Sequence, residues 1–173
     1  MIQNNAINIA VENGESYSGK VDTVTLEVFL NNDAHVLVSV PYGSGKFTLK
    51  LPASLNAQYL DAISLPQGVT TSNPDVKIAT TALYAYKSGA VAGRLYQQAE
   101  NESGKIVYVD GDVSITGSCE ETNEDGEKVT FKYNQQLKKG WNMVYTISHV
   151  EAKTKEITTQ TPAVVKWILH LRD

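Results

Sequence analysis

The chain has 173 residues, 42% hydrophobic and 20% charged, a composition that builds a folded globular protein and excludes a disordered one. Its formal net charge of -4, with no run of Lys or Arg, argues against nucleic acid as a partner. No apolar stretch reaches the roughly 18 residues that span a bilayer, and the single cysteine, Cys119, excludes an intrachain disulfide.

The opening residues, "MIQNNAINIAVENG", carry neither the basic nor the apolar region of a secretory leader. Two expectations stay open: a cytoplasmic protein, or an envelope protein whose leader has been removed. From there a period of two dominates. "VTLEVFL" puts Val24, Leu26, Val28 and Leu30 on one face, and "HVLVSV" does the same for Val36, Val38 and Val40. A three-residue loop, Asn31-Asn32-Asp33, pairs Val28 with Val36 and Leu26 with Val38. "GSGK" (43–46) is not a phosphate loop, because a strand follows where a helix is required. That strand, "KFTLKL", places Phe47, Leu49 and Leu51 together. "PASLNAQYLDAI" is the one helix signal, with Ser54 as cap and Leu55, Tyr59 and Ile63 spaced for one face, predicting a short helix near 54–63. "SLPQGVTTSNPD" (64–75) has two prolines and no periodicity. A split there gives a small β-sandwich over 1–65 and a second β domain over 76–173. The first piece is thin for a core of its own, so a single β domain over 1–173 is predicted.

In the second half, a two-residue turn at Ser88-Gly89 sets Tyr84 opposite Gly93 and Tyr86 opposite Val91. In this register Arg94 and Tyr96 share a face with Leu83, Ala85 and Ala92, opposite the two tyrosines. Tyr and Arg together are enriched in recognition surfaces, so Arg94 and Tyr96 become the candidate ligand-binding pair; the alternative is that this face packs on a second sheet. Asp110-Gly111 reads as a two-residue turn pairing Tyr108 with Val113 and Ile106 with Ile115. The loop Glu124-Asp125-Gly126 pairs Cys119 with Phe131. In "LKKGWNMVY" the loop Lys138-Lys139-Gly140 pairs Leu137 with Trp141 and Tyr133 with Tyr145, and Gly140 supplies the positive φ. Trp141 is then buried beside Leu137. The last strand, "VVKWILHL", puts Val165, Trp167, Leu169 and Leu171 on one side.

About ten to twelve strands in hairpin order, with turns every 8–12 residues, predict an antiparallel β-sandwich; a closed β-barrel is the alternative. His35, His149 and His170 have no histidine or cysteine at ligand spacing. Cys119 falls on a core face. "DGD" (110–112) and "NEDGE" (123–127) read as turns and not as calcium loops. No nucleophile elbow is present. No catalytic residue, metal site or cofactor is therefore predicted, and an enzyme is not expected.

Two stretches resemble known families. "GKFTLKLPASLNAQYL" (45–60) is similar to the strand-then-Leu-Pro pattern of small secreted β-sandwich modules of prealbumin-like or immunoglobulin-like arrangement. "VYVDGDVSITG" (107–117) with "LKKGWNMVY" (137–145) resembles uncharacterised lipoproteins of the Bacteroidetes cell envelope. Together they cover under a third of the chain. The resemblance implies an envelope location with a possible lipid anchor on a removed leader, and no established activity. The expected function is a monomeric, non-catalytic binding or structural module whose ligand is a glycan, a lipid or a protein. A hydrolase with a loop-built site, and an adhesion or assembly subunit that pairs through a strand edge, are the alternatives.

Overall fold

A computed structural model describes residues 2–31 and 33–172. Alternating side chains become strands β1 (Ala6–Ala10), β2 (Thr23–Leu30), β3 (Asp33–Pro41), β4 (Lys46–Lys50), β5 (Asp61–Ala62), β6 (Val69–Thr71) and β7 (Lys77–Lys87). They continue as β8 (Ala90–Ala99), β9 (Glu102–Val109), β10 (Val113–Thr122), β11 (Lys128–Leu137), β12 (Gly140–His149), β13 (Thr154–Thr158) and β14 (Lys166–Leu171). β1 and β4 form a two-stranded sheet. The others form one 12-stranded sheet in the order β3-β2-β7-β8-β9-β12-β13-β11-β10-β6, with β14 beside β8 and β5 beside β7. The architecture is all-β and consistent with a sandwich; no barrel closes among the described residues.

Two hydrophobic cores lie on opposite sides of the large sheet. In the first, Val24, Leu26, Leu83, Ala85, Leu95 and Leu169 pack against Ile7, Ile9 and Leu49 of the small sheet. In the second, Val113, Ile115 and Leu137 pack with Val107, Val109 and Val144. β9 is the shared wall. Successive side chains on a strand point to opposite faces, so Ile106 and Tyr108 enter the first core while Val107 and Val109 enter the second. On β7, Ala79, Leu83 and Ala85 face the first core, and Ile78 on the other face packs against the second. Farther along that second face stand Tyr84 and Tyr86, beyond the edge of the second core.

Several sequence expectations are corrected. No α-helix forms near 54–63. A single 3-10 turn, Ala57–Tyr59, is capped by the Asn56 side chain, and β5 follows directly. Ten residues are too few to nucleate a helix against the pull of strand pairing, since an isolated helix this short is marginal. Leu26 does pair with Val38, but Val28 faces His35, because a bulge at Leu37 shifts the ladder by one residue. Val36 is thereby turned out of the core and is 56% exposed. The hairpin closes at Leu30 opposite Asp33, and Asn32 of the predicted loop lies outside the described residues.

Two predicted hairpins do not exist. β9 pairs with β12, β7 and β8, not with β10. β11 and β12 do not pair either: β13 enters between them, parallel to β11 and antiparallel to β12. Trp141 is buried as predicted, but in the first core, edge-on to Tyr108, while Leu137 is in the second. The loop Glu124-Asp125-Gly126 holds: Cys119 faces Phe131, and Gly126 takes φ +79°.

Candidate functional site

The outer face of β2, β7, β8 and β14 is the back wall of the first core. Its geometry begins with a turn and a bulge. Ser88 and Gly89 both take positive φ, the geometry of a two-residue hairpin turn, and Tyr86 faces Val91 as predicted. A bulge between Ala85 and Tyr86 then shifts the register, so Ala85 faces Gly93 and Tyr84 faces Arg94. Arg94 and Tyr96 therefore share the face of Tyr84 and Tyr86, not that of Leu83 and Ala85. Gly93 is not covered by an aromatic. Its α-carbon lies against the β14 backbone, where an added Cβ would meet the His170 carbonyl oxygen at 2.2 Å.

β14 runs beside β8 with His170 opposite Arg94 and Ile168 opposite Tyr96. The His170 ring stacks on Tyr96, with centroids 5.1 Å apart and planes 25° from parallel. The Arg94 guanidinium lies 5.9 Å from the centre of the Tyr84 ring, within cation–π range. Phe29 meets Tyr84 edge-on at 6.1 Å. Phe29 and Val36 are 43% and 56% exposed; on this face Val36 stands opposite Glu27 and Phe29 two residues along β2 from it. Large apolar side chains left in water on adjacent strands mark interaction surfaces.

Glu27 sits beneath this cluster, only 2% exposed. The Tyr86 hydroxyl donates to Glu27 Oε1 at 2.7 Å and the Thr25 hydroxyl at 2.5 Å. A buried carboxylate needs such donors, because removal from water penalises the charged form. Burial, and next the bond to Glu27, push the Tyr86 phenol above the usual tyrosine range.

At the edge of this face the sheet forks. β7 pairs with β9 from Ile78 to Thr80 and with β8 from Leu83 onward. β8 joins β9 only from Gln97. Between these ladders lies a cavity of about 40 Å³, lined in part by Thr81, Ala82, Arg94, Tyr96 and Lys105. Lys105 is exposed, yet its surroundings strip enough water to pull its pKa below the usual lysine range.

The other candidates stand apart. His35 packs on Tyr59, and His149 lines an open cleft of about 470 Å³ between the β8–β9 and β12–β13 turns. In that cleft Lys153 is already paired with Glu127 at 2.7 Å. Cys119 is half-buried beside the second core. No group of three or more His, Cys, Asp or Glu that could hold a metal occurs among the described residues.

Sequence reasoning selected Arg94 and Tyr96, and the fold brings them together with Tyr84, Phe29 and His170. It missed Phe29, Glu27 and Lys105. One signal was available: in "VTLEVFL" an aromatic, Phe29, falls on the polar parity with Thr25 and Glu27.

The fold and this face define an all-β protein with an uncovered aromatic sheet surface. Comparison with protein-family models, curated proteins and solved structures finds no match.

Proposed function

We propose that the chain is a non-catalytic binding module of the bacterial cell envelope that holds a protein partner on the outer face of β2, β7, β8 and β14. The observation that carries this reading is the Phe29–Tyr84–Arg94 and Tyr96–His170 cluster on a sheet face that neither core covers. Tyr and Arg are the residues that dominate protein-interface energetics. A glycan is less favoured, because a sugar stacks on an open ring face. Here Tyr96 and His170 each cover one face of the other and Arg94 covers one face of Tyr84, which leaves fewer open faces for a sugar. A lipid needs an enclosed apolar cavity; the notch on this face is about 40 Å³, and the cleft of about 500 Å³ that borders it beside Ile168 and Gln98 is open to solvent. The strand-edge reading is weakened by the Leu37 bulge and by Pro41 on β3, two devices that protect an edge from pairing. The envelope location is supported by the resemblance of residues 107–117 and 137–145.

The test is panning of a random peptide library on the wild-type chain and on a Tyr84→Ser, Tyr96→Ser double variant. Both serines replace partly exposed rings, so the fold is retained and checked by circular dichroism. Peptides that bind wild type and not the double variant support the proposal. No enrichment, or enrichment equal on both, overturns it.

A further inference from the structure

The aromatic face has an anchor point at its edge, the notch where the sheet forks. Two cations, Arg94 and Lys105, line one small cavity. Neither makes an ion pair among the described residues, although five other lysines do. An anion seated between them would meet two cationic donors at once. The cavity is small. About 40 Å³ is room for only two or three waters at roughly 10–15 Å³ each. A carboxylate head fits that space; a sugar ring does not. Thr81, on the first-core parity of β7 with Ala79 and Leu83, donates its hydroxyl to the Ile106 carbonyl at 2.9 Å. Leu26, Leu83, Leu95, Ile106 and Trp167 of the first core line the inner side of the notch, and the polar side chains on its outer side are the two cations and Tyr96.

We infer that the notch between Arg94 and Lys105 receives the carboxylate of an Asp or Glu side chain from an acidic polypeptide segment, whose flanking residues lie across Tyr84, Tyr96 and Phe29. This rests on the binding-module reading and adds the chemistry of the partner. Electrostatic complementarity of this kind sets orientation and association rate more than total affinity. The chain as a whole is acidic, with a net charge of -4, so this local cationic site selects where an acidic segment can land.

The experiment titrates poly-L-glutamate into the ¹⁵N-labelled full chain and follows the Arg94 side-chain and Thr81 and Lys105 backbone resonances. Parallel titrations use poly-L-lysine and hyaluronate, the second carrying carboxylates on a glycan. The expected result is saturable shifts at these three residues with poly-L-glutamate alone. Affinity should fall about five- to tenfold in Arg94→Gln and in Lys105→Gln, and stay unchanged in Lys128→Gln, a lysine of the distant β10–β11 hairpin. Equal affinity in all three variants, or binding of hyaluronate at the notch without poly-L-glutamate, overturns the inference. The peptide library separates the two levels. Face-dependent peptides without an acidic residue would sink the carboxylate anchor and leave the binding module standing, whereas the absence of any face-dependent peptide would sink both.

Discussion

The insertion of β13 between β11 and β12 can be tested by the energetic independence of two residues four positions apart. Trp141 is 8% exposed, stands edge-on to Tyr108 at 5.2 Å, and donates from Nε1 to the Pro52 carbonyl at 2.7 Å. Leu137 is 1% exposed in the other core. Trp141→Ala removes a large buried ring and is expected to lower stability by about 3–5 kcal/mol. For a thermodynamic cycle the milder Trp141→Leu and Leu137→Val keep the chain folded; loss of one methylene from Leu137 should lower stability by about 1 kcal/mol. Residues in separate cores add within about 0.5 kcal/mol. The double variant should therefore equal the sum of the singles. Trp141→Leu with Tyr108→Leu should instead show a coupling of about 0.5–1.5 kcal/mol, the worth of an edge-to-face aromatic pair. Urea unfolding followed by far-ultraviolet circular dichroism measures each corner without depending on tryptophan emission. Coupling near 1 kcal/mol between Trp141 and Leu137, with none between Trp141 and Tyr108, would mean that β11 and β12 form a hairpin and that the two-core arrangement is wrong.

Three further outcomes are expected. The Tyr42 phenol, pushed up to about 12 first by burial and then by the nearby Tyr17, keeps its proton in the folded chain while unfolded tyrosine loses it near pH 10. Stability should then be fully present below pH 10 and decline as pH rises toward about 12, a decline that Tyr42→Phe should reduce in urea titrations across that range. Gly93→Ala would drive a Cβ to 2.2 Å from the His170 carbonyl oxygen, which forces β14 off β8; a loss of about 1–3 kcal/mol should come with faster amide exchange in β14 than elsewhere, and uniform exchange would refute it. Glu27→Gln keeps an oxygen acceptor for Tyr86 and Thr25 and should shift the urea midpoint little, whereas Glu27→Ala leaves both hydroxyls unpaired and should lower stability by about 2–4 kcal/mol; equal effects of the two would show that these bonds are not what holds Glu27.

Face assignment was legible wherever it depended on neighbours along one strand. Val24, Leu26 and Val28, then Leu49, then Trp167 and Leu169, are buried where period two puts them. Loop length was legible where the two strands remain partners, as at Cys119 opposite Phe131. Partner choice was not. Asp110-Gly111 has hairpin chemistry, but Asp110 uses its carboxylate to accept the Lys77 amide, and the chain crosses from the first core to the second. Gly140 takes φ +102°, as the predicted loop required, yet the turn is held by Asp112, which accepts the Lys139 amide at 2.8 Å. β13, 14 to 18 residues downstream of Gly140, then takes the place beside β12 that β11 was expected to fill. Nothing local to either turn encodes the arrival of that distant strand, because a turn fixes direction and not which strand will lie alongside.

The candidate site depends on the same limit. Period-two reasoning places every residue after a bulge on the wrong face, since a slip of one residue reverses the side that each side chain takes. The bulge between Ala85 and Tyr86 is such a slip, and it joins Arg94 to Tyr84. The bulge at Leu37 is another, and it turns Val36 outward onto the same face beside Glu27. Both irregularities act on the strands that flank β2 and β7, and both add an apolar, aromatic or cationic group to one surface. The large sheet then supplies the exposure. Its two ends bury opposite faces, so the second core covers Ile78 on β7 and stops before Tyr84. A sheet with a single core on one side would have left a polar back face. Here the reversal leaves an aromatic surface facing water, with Arg94 and Lys105 at the fork where β7 passes from β9 to β8.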